Sequence, residues 1–158
     1  MNLMEKVNKQ FNFELSSAYT YMAMSNYCKS RGMDGFAHFM FEQAKEEFGH
    51  ARKFYNFLYE MDFTPEYEAM EKPEASYETF TDMFKDALAH EKEVTRRIKE
   101  IYKDAIEAGC VDTQQFLDWF IAEQREEEET FRGIVERMER INESWNGLYI
   151  YDAALGQR

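Results

Sequence analysis

Four stretches of this chain repeat apolar residues at alternating spacings of three and four, and each is interrupted near its middle by a glutamate where the pattern calls for a hydrophobe. The first runs Val7, Phe11, Glu14, Ala18, Tyr21, Ser25, Cys28, and the second Phe36, Met40, Gln43, Glu47, His50, Phe54, Phe57, Met61. The third runs Phe80, Phe84, Ala87, Glu91, Val94, Ile98, Ile101, Ala105, and the fourth Phe116, Phe120, Glu123, Glu127, Thr130, Ile134, Met138, Ile141. This spacing places each set on one helix face, the face that packs inward. The glutamates are therefore aimed at a core. An ionised carboxylate left in a dry interior costs on the order of several kcal/mol, so these must be paired, protonated or bound to a cation.

Topology decides whether they meet. Gly32, Asp34 and Gly35 mark a tight turn that makes the first two helices antiparallel, and Gly109 with the capping-box-like Asp112 and Gln115 does the same for the last two. Between the pairs, Asp62 to Ala75 carries Pro65 and Pro73 and no helical stripe. About 14 residues at ~3.3 Å each reach ~46 Å, enough to travel back along a helix of about 26 residues, ~39 Å. The expected fold is all-α: a four-helix bundle with a long crossover between helices two and three, and a short fifth helix. Expected spans are about 5–31, 35–61, 77–108, 112–141 and 144–154, in one domain over 1–158. Counted from the turns, Glu14, Glu47, Glu91 and Glu127 reach one level within ~7 Å.

A formal charge of −12 and a pI near 4.7 lack the basic footprint of a nucleic-acid binder and favour cations. No run approaches the length of a membrane span, and residues 1–10 hold no signal-like apolar core, so the chain reads as cytoplasmic. Cys28 and Cys110 form neither a Cys-x-x-Cys nor a disulfide framework and read as structural or incidental thiols. Ten methionines, ten tyrosines and fourteen phenylalanines supply a core rather than a cofactor box. Gly49 is either a tolerated helix glycine or a gap for a neighbour; His38, off the stripe, is a surface or boundary residue; His90 either supports its neighbour Glu91 or merely adjoins it. Thr130 reads as core filler or as bonded to its own helix, and Glu128 and Glu129 as a solvated acidic face.

Glu47 and His50 form a Glu-x-x-His unit that sets a carboxylate and an imidazole side by side. Hard oxygens with one imidazole suit iron or manganese better than zinc. A lone Glu-x-x-His is a weak signal; joined to inward Glu14, Glu91 and Glu127 it is strong. A glutamate from each of two helices plus a Glu-x-x-His from each of the others is the known pattern of ferritin-like di-iron bundles. The segments Glu14 to Tyr21, GMDGFAHF (Gly32 to Phe39), EEFGHA (Glu46 to Ala51), HEKEVT (His90 to Thr95), WFIAEQREE (Trp119 to Glu127) and GLYI (Gly147 to Ile150) together resemble a bacterial-type non-haem ferritin, over essentially the whole chain.

That resemblance implies that Glu14, Glu47 and His50 hold one iron and Glu47, Glu91 and Glu127 a second, with Glu47 bridging. It places Tyr21 and Gln124 where they hydrogen-bond ligands or oxygen species, Trp119 as a nearby aromatic, and a weaker third iron site at Glu46, Glu123, Glu126 and Glu127. Thr130 stands where the second Glu-x-x-His would put its histidine, and Phe48 where bacterioferritins, which resemble the same template, carry their haem-ligating methionine; both argue against haem. The implied function is storage of iron, oxidised from the ferrous state by O2 or H2O2 at the paired site and deposited as mineral in a hollow twenty-four-subunit shell. The segment Ser144 to Leu155, with Trp145, Leu148, Tyr149, Ile150 and Tyr151, matches the short helix that packs at the fourfold axes of such shells. The alternative is a rubrerythrin-like di-iron peroxidase without storage, but those enzymes typically carry a four-cysteine iron domain that two cysteines cannot supply.

Overall fold

The computed structural model describes residues 1–158 as five helices in the order α1 (Leu3–Ser30), α2 (Asp34–Glu60), α3 (Phe80–Glu107), α4 (Val111–Ile141) and α5 (Trp145–Leu155). No helix is long and apolar enough to cross a membrane. The ends follow from local chemistry. Asn2 and Glu5 close a capping box at the start of α1. Gly32 and Gly109 take positive φ in the two tight turns, a region glycine enters without steric cost. Helix α3 begins three residues later than expected because Thr79 caps it, accepting from Asp82 N at 3.0 Å. Glu143 adds to that cap by accepting from Thr81 N and Thr81 Oγ1, which pins the end of α4 to the start of α3. Helix α4 begins at Val111 with Cys110 at the cap position, so Asp112 lies inside the first turn and does not cap it.

The stripes of α1 and α3 are buried as expected, and that of α2 is buried but for half-buried Met61. On α4 the face is rotated. Phe120, Glu127, Ile134 and Met138 point inward, but the positions between them are filled by Leu117, Gln124 and Phe131, while Phe116 and Glu123 are half-buried and Thr130 is exposed. Positions 120, 127 and 134 satisfy either phase of a three-four repeat. Burial of the large Phe131 side chain settles the choice, so Thr130 is not core filler.

Between α2 and α3 the chain runs without helix and is tied to α1 by two buried asparagines. Asn8 Oδ1 accepts from Glu66 N and Asn12 Oδ1 from Glu68 N, both at 2.9 Å, and both side-chain amides donate to Glu66 O. These bonds satisfy main-chain groups that a non-helical segment over a helix would otherwise leave unpaired. Helix α5 docks on α2 with Leu148 fully buried, while Trp145, Tyr149 and Ile150 face outward. A Cβ on Gly35 would collide with the Asp152 carbonyl, so glycine there permits the close approach of α5.

The interior falls into two apolar halves. One gathers Tyr21, Met24, Phe36, Met40, Phe84 and Phe131 with their neighbours, and the other Val7, Phe11, Phe54, Ile98, Leu117 and Phe120. Between them lies a layer of carboxylates, amides and one imidazole.

A candidate dinuclear metal centre

Each of the four long helices contributes one buried carboxylate to this layer: Glu14, Glu47, Glu91 and Glu127. Ligand atoms of Glu14, Glu47 and His50 lie within 4.8 Å of one another, as do those of Glu47, Glu91 and Glu127. The two groups share Glu47. A third group, Glu46, Glu123 and Glu127, meets the same limit and shares Glu127.

Neutral donors hold the carboxylates in place. Tyr21 Oη donates to Glu91 Oε1 at 2.6 Å, and Gln124 Nε2 to Glu91 Oε2 at 3.0 Å and to the Glu91 main-chain oxygen at 3.2 Å. Gln43 Nε2 spans the layer, donating to Glu47 Oε1 at 3.1 Å and Glu127 Oε2 at 2.8 Å. Gln10 Nε2 donates to Glu14 Oε1 at 3.1 Å, but Glu14 Oε2, wholly buried, has no hydrogen-bond partner. His50 Nδ1 lies 3.1 Å from Glu47 Oε2 and 3.9 Å from Glu14 Oε2. Its ring is fixed edge-on against Trp119 and Phe120.

Burial is the first cause of the carboxyl pKa shifts. It pushes Glu14 up to about 7, opposed by the adjoining Glu47 carboxyl and the Gln10 hydrogen bond and reinforced by the Glu91 and Glu127 charges. Burial likewise raises Glu47 to about 7 against the His50 hydrogen bond, and Glu127 to about 9 with help from Glu91 and Glu47. Glu91 is raised well above the usual range by burial and the Glu47 charge, despite its Tyr21 and Gln124 donors. For His50, burial opposes protonation, but the Glu47 hydrogen bond and charge outweigh it and the imidazole pKa is raised. Four carboxyls at one level without a compensating charge thus take up protons, and of the two buried acceptors left without a partner, Gln10 Oε1 and Glu14 Oε2, the second faces His50. A divalent cation would remove both penalties.

A ferritin-like domain profile matches residues 4–141. The chain is 39% identical over 157 residues to the bacterial non-haem ferritin of Staphylococcus aureus strain USA300, across 99% of this chain and 95% of that protein. This chain belongs to the bacterial non-haem ferritin family. The ferritin of Staphylococcus haemolyticus is 37% identical over the same coverage. Among solved structures, an open-pore ferritin from the hyperthermophilic archaeon Archaeoglobus fulgidus superposes with a TM-score of 0.97 at 35% identity, covering 99% of this chain and 96% of that one. A form of the same archaeal ferritin engineered to be closed superposes equally well.

In this ferritin chain the remaining expectations divide. Trp119 stands beside His50 and is partly exposed, with Lys53 Nζ 3.2 Å over its ring. Glu126 is exposed and lies outside the third carboxylate group. His90 bonds Ser17 at 2.6 Å and stacks on Phe13 without a hydrogen bond to a site carboxylate, and burial lowers its pKa to about 4. Glu128 accepts from Thr95 Oγ1 at 2.6 Å and is half-buried, so of the expected acidic face Glu129 alone is fully solvated. Gly49 has open space where a Cβ would stand, His38 is exposed, and Cys28 and Cys110 are free thiols. Two contributors went unassigned in the sequence. Gln43 sits on the second stripe four residues before Glu47, and Gln10 four before Glu14, the spacing at which a helical side chain reaches its neighbour.

Proposed function

We propose that this chain binds two ferrous ions in the carboxylate layer, catalyses their oxidation, and stores the ferric product inside a shell of its own copies. Glu14, Glu47 and His50 would hold one ion and Glu47, Glu91 and Glu127 the other. The observation that carries this reading is the sharing of Glu47 between two groups whose ligand atoms lie within 4.8 Å. A shared carboxylate fixes two cations close enough to give up one electron each to the same oxidant.

Charge supports the sequence of events. Two ferrous ions carry four positive charges, which the four carboxylates balance once deprotonated, so loading neutralises a layer that is otherwise costly to ionise. O2 then accepts one electron from each ion and two protons, giving two ferric ions and one H2O2. H2O2 as oxidant accepts two electrons and two protons and gives water. Either way the oxidised pair carries two positive charges more than the carboxylates neutralise. Hydroxide from water offsets them, and the product is driven towards hydrolysis and release. The roles of the flanking groups follow from their bonds: Tyr21 and Gln124 keep Glu91 aimed inward, and Gln43 keeps Glu47 and Glu127 in register. Glu46 and Glu123, with the shared Glu127, would form an all-oxygen station for an ion leaving the pair, with the exposed Glu126 beside Glu127 in sequence as a further carboxylate.

Storage requires a container, and the outward Trp145, Tyr149 and Ile150 of α5 supply apolar surface for contact between copies, in a shell of twenty-four if assembly follows the family. Rapid mixing of ferrous protein with oxygenated buffer tests the centre. Glu47→Ala and His50→Ala should each abolish the fast absorbance rise of ferric product. A wild-type initial rate in both would remove the assignment.

A further inference from the structure

The turn after α5 brings Arg158 back onto α2, where its guanidinium is held by three groups. Nη2 lies 2.9 Å from Glu46 Oε1, Nη1 donates to Phe39 O at 3.0 Å, and Cζ sits 4.4 Å above the Phe39 ring. The Arg158 main-chain oxygen accepts from His38 Nε2 at 2.9 Å. The same segment is anchored six residues earlier by Asp152, whose carboxylate accepts from Gly35 N at 3.1 Å and Phe36 N at 2.8 Å at the start of α2. The Arg158 side chain is 22% exposed, less than an ordinary surface arginine, and most of its contacts do not involve Glu46. Its charge is therefore fixed in place by groups that do not move when Glu46 changes partner.

Glu46 is one of the three carboxylates whose ligand atoms converge with those of Glu123 and Glu127. Arg158 is the cationic side chain that ion-pairs with this group. We propose that Arg158 is a built-in counter-cation of the Glu46–Glu123–Glu127 group: it competes with a metal ion for Glu46 and keeps that group's hold on the ion weak.

The inference rests on the reading of these three carboxylates as a station for iron. Two effects act in one direction. An arriving cation must share Glu46 with a guanidinium already bonded to it, and it must sit near a like charge that Phe39 and its carbonyl hold in position. A pocket of three carboxylates with no such neighbour would retain a ferric ion, whereas one partly neutralised from within releases it. Coupling is reciprocal, so an ion at this group weakens the attachment of residues 156–158 to α2, and through it the docking of α5. Partial exposure screens the charge, and removing it should tighten binding at this group on the order of tenfold.

The test is a titration of the full-length metal-free protein with Mn(II), a redox-inert, oxygen-preferring probe, with free Mn(II) counted by electron paramagnetic resonance. Wild type should show two tighter equivalents per subunit and a weaker third. Arg158→Gln should leave the first two unchanged, which also reports an intact bundle, and tighten the third about tenfold. Arg158→Lys, which retains the charge, should stay near wild type, and Glu123→Gln added to Arg158→Gln should abolish the gain. A third equivalent that is present but unchanged or weaker in Arg158→Gln would overturn the role of Arg158 and leave the carboxylate station standing. No third equivalent even in Arg158→Gln would overturn both.

Discussion

Filling the carboxylate layer with metal should expel protons, in a number that falls as pH rises. Near pH 6, Glu14 and Glu47, with pKa raised to about 7, are each about nine-tenths protonated, and Glu127, raised to about 9, is fully so, while burial also raises Glu91 well above the usual range. Two divalent ions need all four ionised, which releases about three protons per subunit from Glu14, Glu47 and Glu127, to which Glu91 and His50, both with raised pKa, add. Near pH 8, Glu14 and Glu47 are largely ionised beforehand, and of these three only Glu127 still has about one proton to release. Anaerobic ferrous titrations by calorimetry in buffers of differing ionisation enthalpy give this number directly. Release below about one proton per subunit near pH 6 would refute the reasoning, because it would mean that the carboxylates are already ionised and not desolvated by the bundle.

The same shifts set a pH dependence of stability. A carboxyl whose folded-state pKa exceeds its unfolded value of 4.5 binds more protons when folded, so metal-free protein should lose stability as pH rises from about 4.5 through 7. For Glu14 alone the shift of 7 − 4.5 = 2.5 units corresponds to roughly 3 kcal/mol; melting temperatures of metal-free and Mn(II)-loaded protein should diverge over that range, and parallel curves would contradict it. Glu47→Gln should raise the melting temperature of metal-free protein near pH 8, by removing a buried charge, while costing both metal equivalents; loss of one alone would show that Glu47 is not shared. Asn12→Ala should destabilise by about 1–3 kcal/mol, because it leaves Glu66 O with fewer donors and Glu68 N without an acceptor, and should speed hydrogen exchange at Glu68; unchanged exchange would detach that asparagine from the crossover. Truncation before Ser144 should preserve helical ellipticity but weaken assembly in light scattering, and a large shell in the truncated chain would deny α5 a part in it.

Much of the site was legible because burying a glutamate on an apolar stripe breaks a simple rule in a conspicuous way. Helix α3 shows this best: every member of its stripe is buried, with Glu91 at its centre. Helix α4 shows the limit, since 120, 127 and 134 belong to two equally regular phases and only packing against the other helices rejects Thr130 for Phe131. Polar supports were harder to read. Gln43 and Gln10 look like tolerated polar residues on a helix until their acceptors are in view, and Asn8 and Asn12 take their meaning from a crossover more than fifty residues away in sequence. Arg158 carried no signal at all, because its partners Glu46 and Phe39 are brought to it by the docking of α5 on α2.

The central claim is that oxidation at the shared centre feeds a store. The most direct measurement is iron retained per subunit after repeated aerobic additions of ferrous iron and gel filtration, taken on wild type and Glu47→Ala side by side. The account predicts that wild type retains far more iron than the three carboxylate groups can ligate, eluting with a large assembly, and that Glu47→Ala fills slowly if at all. Retention that stops at two or three ions per subunit in wild type would contradict it, leaving a di-iron catalyst without a store.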